Sequence, residues 1–65
     1  SNKMLRFKYN LIEERLQERK NQLTPHTFQA IRKVVHEGAE GINPYTLSNL
    51  CSDLGCLPSD IIEYV

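Results

Sequence analysis

His26, Thr27, Gln29, Arg32 and Lys33 crowd into eight positions of the stretch "LTPHTFQAIRKVV". Arginine can take guanine, and glutamine adenine, with two hydrogen bonds each, provided the side chain reaches a base edge. Thr24 and the free N–H groups at the start of a helix suit a phosphate oxygen. Lys20, Asn21 and Gln22 lie just before that start, where they could meet the same sugar-phosphate backbone. The chemistry these types share is nucleic-acid recognition. For any one of them a solvated surface side chain is the simpler reading, so the argument rests on their clustering.

Other chemistries find no constellation. His26 and His36 are ten residues apart, with no carboxylate or cysteine at ligand spacing, so metal binding is not expected. No Ser-His-Asp set, glycine-rich phosphate loop or paired carboxylates occur, and "GAEG" reads as a loop. A chain of 65 residues also leaves little room for a walled substrate pocket. The expectation is a binding protein without catalytic residues, cofactor or small-molecule substrate. Cys51 sits on a helix's periodic face and Cys56 just past its end. They read as two reduced core thiols of a cytoplasmic protein.

The cluster needs a helix to carry it, and the sequence supplies one over 24–37. Thr24 can cap, Pro25 fits the first helical position, and Phe28, Ile31, Val34 and Val35 follow helical spacing. Gly38 and Gly41 end it. A second helix is framed the same way: Asn43 caps, Pro44 starts, and Tyr45, Leu47, Leu50, Cys51 and Leu54 fill its buried face until Gly55. "LPSD" then opens a helical turn, with Asp60 near its positive end. Upstream, Asn10 and Glu13 have capping-box spacing, which predicts a first helix from Asn10 to about Gln22 with Leu11, Ile12 and Leu16 on its apolar side. The stems of Arg15 and Arg19 extend that stripe. "MLRFKYN" alternates, with Leu5, Phe7 and Tyr9 on one side, as a half-buried strand does. A lone strand needs a partner, and "IIEYV" at the other end is the one available. Tyr9 and Tyr64 are expected around this terminal sheet with their hydroxyls in water. The predicted class is therefore mostly α: three helices and a short C-terminal helical turn, with terminal strands that pair within or between chains.

Composition sets the outer limits. One domain of 65 residues buries only ~60% of its unfolded surface, so stability is marginal unless it pairs with a second copy. No apolar run approaches the ~20 residues of a membrane span. "SN" reads as a scar of tag removal and Met4 as a natural start, which makes 1–3 a tag remnant and 4–65 the domain. The formal charge is zero, but residues 1–37 hold all eight bases against four acids, while 38–65 hold four acids and no base. Such asymmetry points mildly to nucleic-acid contact through the basic part.

The last 24 residues, "INPYTLSNLCSDLGCLPSDIIEYV", resemble the tail of small Cro and lambda-repressor-like regulators of the XRE helix-turn-helix family. Ile42, Thr46, Leu47, Leu50, Cys51, Leu54, Cys56, Pro58, Asp60, Glu63, Tyr64 and Val65 match that tail in register. "MLRFKYNLIEERLQER" looks like the start of the same subgroup, and "LTPHTFQAIRK" is similar to its tight turn and recognition helix. The resemblance implies that Thr24, His26, Thr27, Gln29, Arg32 and Lys33 face DNA. It also implies that Asn43 and Tyr45 grip phosphate, and that Lys20 and Gln22 touch the backbone. Family members carry a separate scanning helix before the recognition helix. Here "ERKNQ" runs almost directly into "LTPHT", so that helix is missing or fused with the first one into a rod.

Two functions remain. One is a sequence-specific, double-stranded-DNA-binding transcriptional regulator of bacterial type, acting as a homodimer through helix 24–37. The other is a protein-interaction module, antitoxin-like or a partner subunit, that kept only a dimerising surface.

Overall fold

The computed structural model of the chain describes residues 3–65, so the reading of Ser1 and Asn2 as a scar lies outside the described residues. Strand β1 (Leu5–Phe7) leads into helix α1 (Tyr9–Glu18), and a single 3-10 turn (Lys20–Gln22) follows. Helices α2 (Pro25–Glu37), α3 (Pro44–Leu54) and the one-turn α4 (Pro58–Ile61) come next, and strand β2 (Ile62–Tyr64) ends the chain. The architecture is mostly helical with a two-stranded antiparallel sheet.

The sheet ties the two ends of one chain together. Leu5 pairs with Tyr64, Arg6 with Glu63 and Phe7 with Ile62. Met4 and Val65 exchange both backbone hydrogen bonds at 3.0 Å beyond these pairs, and the Lys8 N–H donates to the Ile61 carbonyl at 2.7 Å. An isolated two-stranded ribbon is marginal in water. This one is held because Phe7 and Ile62 on one face pack onto the helical core.

That core is built from Ile12 and Leu16 of α1, Phe28 and Ile31 of α2, Leu50, Cys51 and Leu54 of α3, and Ile61 of α4. Burying each large aliphatic or aromatic side chain favours folding by about 1.5–3 kcal/mol. Ile12, Leu16, Leu54 and Ile61 are fully buried within a single chain, so no exchange of elements with a second copy is needed to cover them.

The predicted caps of the central helices form. Thr24 Oγ1 accepts from the Thr27 N–H at 3.1 Å, Asn43 Oδ1 accepts from the Thr46 N–H at 2.8 Å, and a proline follows each cap. Gly55 ends α3 in the left-handed region at φ 65°, where a side chain would be strained. The Asp60 carboxylate accepts from the Leu57 N–H at 2.8 Å and so starts α4.

Four expectations need correction. Helix α1 starts at Tyr9 without a side-chain cap, and the Asn10–Glu13 box does not form. The reason lies across the sheet. Lys8 is held by its bond to Ile61, its carbonyl accepts from the N–H groups of Leu11 and Ile12, and Asn10 is left inside the first turn. The helix also stops at Glu18, short of Gln22, so there is neither a continuous rod nor a separate second helix between α1 and α2. Leu11 is 41% exposed, since the buried ridge is Ile12 and Leu16, one turn apart, and Leu11 lies to one side of it. Tyr45 is 77% exposed. At about 100° per residue it lies opposite Leu47, Leu50, Cys51 and Leu54, which fill the inner face.

Tyr9 and Arg19 brace the ends of α1. The Tyr9 hydroxyl accepts from the Ala39 N–H at 2.8 Å, which fixes the loop after α2 and keeps this hydroxyl out of bulk water. Arg19 Nε donates to the Asp53 carbonyl at 2.8 Å, joining the end of α1 to the last turn of α3.

Candidate nucleic-acid interface

Helix α2 is amphipathic for a simple reason. Phe28, Ile31 and Val35 recur every three to four residues and face α1 and the core, and this pushes His26, Gln29 and Lys33 to the opposite side. All three are exposed. Arg32 lies on the border and is half-buried, with Nη2 3.4 Å from Nε2 of His36 one turn later.

The 3-10 turn brings further polar groups to that border. Lys20 Nζ stands 5.4 Å above the centre of the Phe28 ring, a cation–π distance. Lys20, Gln29 and Arg32, with Asn21, line one shallow concavity of about 360 Å³ floored by Leu23, Pro25 and Phe28. Two elements thus present two cations and two amides to one surface. Among the described residues the only ion pair is Arg6–Glu63, at 3.8 Å, so no carboxylate of the chain neutralises Lys20, Arg32 or Lys33. Their field is open to an external anion.

The other candidates are distributed differently. Thr24 and Thr27 are bound to each other: the Thr24 hydroxyl donates to Thr27 Oγ1 at 3.0 Å while accepting from the Thr27 N–H. Thr27 is also half-buried. Both serve the helix start first. Gln22 is exposed but does not line the concavity. Asn43 is committed to its cap. Tyr45, with a free ring, stands beside it at the start of α3, away from the concavity. The structure therefore assembles Lys20, Gln29 and Arg32, with His26 and Lys33 on the adjoining outer face, and leaves Asn43 and Tyr45 apart. Sequence reasoning did not single out His36. The signal was its spacing of four residues from Arg32, which is the spacing of neighbours on a helix surface.

The site has the form of an electropositive helix edge. Its donors can bind phosphate oxygens or base edges, and nothing in it resembles a nucleophile with its base. Among the described residues no cluster of three or more His, Cys, Asp or Glu has metal-holding geometry. No described helix is long and apolar enough to cross a membrane. The chain matches no family model, no curated protein and no solved structure.

Proposed function

We propose that this domain binds double-stranded DNA in a sequence-dependent manner and acts as a cytoplasmic transcriptional regulator, as a homodimer that sets helix α2 of each copy in successive major grooves. The observation that carries the reading is the edge of α2, where Lys20, Gln29 and Arg32 share one surface and no carboxylate partners the cations. An α-helix fits the major groove, and the two cations supply a salt-dependent attraction to phosphate. Gln29 and Arg32 reach base edges, with His26 and Lys33 flanking them. Thr24 and Thr27 act mainly by holding the start of α2 in shape. Asn43 and Tyr45 are the outermost candidates for phosphate contact, with the Tyr45 hydroxyl as the donor available there.

A second reading, a protein-interaction module, is favoured by a different observation. Met4, Leu5, Tyr64 and Val65 are between 50% and 70% exposed and lie together at the outer end of the terminal sheet. Apolar groups gathered at a sheet end are suited to a protein partner.

The two readings separate in one experiment. The protein is retained with a random duplex pool across a salt series, and the bound fraction is sequenced. DNA recognition predicts an enriched motif with two related half-sites and an affinity that falls steeply with salt. Weak retention without a motif would overturn it in favour of the protein-interaction reading.

A further inference from the structure

Helix α3 ends in two interlocked hydrogen bonds. The Gly55 N–H donates to the Ser52 carbonyl at 3.2 Å, and the Cys56 N–H reaches back to the Cys51 carbonyl at 3.0 Å. With Gly55 left-handed between them, this is a Schellman termination, which turns the residue after the glycine onto the residue five positions earlier. In most helices that contact joins two hydrocarbon side chains. Here it joins two thiols. Standard backbone dimensions and the 3.0 Å bond leave the two Cα atoms no more than about 6.9 Å apart. Cysteines whose Cα atoms lie beyond about 7 Å cannot be bridged without moving the backbone, so this pair falls within reach.

The two sulfurs differ in access. Cys51 is buried in the core, and Cys56 is half-buried and packs against it. We propose that Cys51 and Cys56 form a reversible dithiol site, which low-molecular-weight disulfides convert to an intramolecular disulfide, with Cys56 as the entry thiol. The Cys56 thiolate attacks one sulfur of the small disulfide. A mixed disulfide forms at Cys56 and the other half leaves as a thiolate. Cys51 then loses its proton to solvent and attacks Cys56 Sγ, which forms the Cys51–Cys56 bond and expels the second half as a thiolate. Two protein thiols are oxidised and one small disulfide is reduced to two thiols.

The order of attack follows from environment. Burial, with Cys56 and Asp60 as neighbours, pushes the Cys51 thiol up to about 11, so it holds its proton at neutral pH and does not begin the exchange. Once a mixed disulfide stands beside it, proximity makes up for its low thiolate fraction. The bond would tie the last turn of α3 to the segment entering α4, next to the carbonyl that Arg19 holds. It would shorten the conformational freedom of the unfolded chain and raise the melting temperature.

The test uses the folded chain, oxidised glutathione as the probe and iodoacetamide to trap remaining thiols, read by intact mass. The expected product is monomeric, has lost the mass of two hydrogens, takes up no iodoacetamide, melts higher and returns to the dithiol with a reductant. Under the same conditions Cys51→Ser should stop as a stable glutathione adduct at Cys56, and Cys56→Ser should leave Cys51 unmodified. A stable adduct on the unaltered chain, a disulfide between two chains, or a Cys51 that reacts readily in Cys56→Ser would each overturn the proposal. Should Cys51→Ser fail to fold, the unaltered chain and Cys56→Ser still decide it.

Discussion

Arg19 Nε donates to the Asp53 carbonyl at 2.8 Å, and the rest of the guanidinium lies over Gly55, where an added Cβ would sit 2.8 Å from Arg19 Nη1. The arginine that ends α1 thus caps the end of α3, 34 positions later in the chain. The contact also fixes the 3-10 turn that carries Lys20, since that turn begins directly after Arg19.

Gly55→Ala should therefore destabilise the fold by about 1–3 kcal/mol, from the strain of a side chain at positive φ and the displaced guanidinium. Arg19→Met, which keeps the apolar stem and removes the donor, should cost about 1–2 kcal/mol. The two changes act on one contact, so the double variant should lose less than the sum. Urea melts of the four proteins measure this, and strict additivity would show that the two residues act separately.

Tyr9→Phe should lower stability by about 1 kcal/mol, because it leaves the Ala39 N–H without its 2.8 Å acceptor while the ring packing stays. Hydrogen exchange of the Ala39 amide should accelerate more than that of amides in the middle of α2. Equal acceleration throughout would place the tyrosine's contribution in packing alone.

Thr24→Ala should cost about 1 kcal/mol by removing the α2 cap, as Asn43→Ala should for α3. If Thr24 acts by shaping the helix start, Thr24→Asp should recover the stability, since aspartate caps equally well. The added negative charge should at the same time weaken binding to DNA. A Thr24→Asp protein that binds as tightly as the parent would remove this end of α2 from the interface.

Stability should also fall in alkali through Cys51. Its thiol titrates near 11 in the folded chain, above its ordinary value, with burial as the main cause and Cys56 and Asp60 adding to it. The native state thus retains a proton that the unfolded chain releases, so the stabilisation is complete below about pH 8.5 and is lost as pH climbs towards 11. Under reducing conditions, Cys51→Ala should show a shallower decline than the parent between those limits. Parallel curves would exclude the thiol as the cause.

Much of the fold was legible because it is locally encoded. Thr24-Pro25 and Asn43-Pro44 announce helix starts, Gly55 announces a stop, and the alternation of "MLRFKYN" announces a strand, each through a few neighbouring residues. The misread parts depend on partners distant in sequence. Helix α1 begins at Tyr9 because Lys8 is held by Ile61, and Tyr9 leaves the strand pattern to meet Ala39. Tyr45 is apolar enough to be assigned to the core, but its angular position two residues before Leu47 turns it outward. Within the candidate site, the polar side of α2 was readable from helical spacing. The approach of Lys20 to Phe28 was not, because it depends on how the 3-10 turn folds back after Arg19.

The central claim is that Arg32, Lys33 and the groups beside them bind DNA. The most direct measurement is the dependence of duplex affinity on salt for the parent and for the double variant Arg32→Ala, Lys33→Ala, with thermal melts confirming that both are folded. The account predicts steeply salt-dependent binding by the parent and its loss in the variant. Any residual binding should have a slope of log affinity against log salt smaller by up to about 1.8, since each phosphate contact contributes about 0.9. A folded double variant with the parent's affinity and slope would contradict the account.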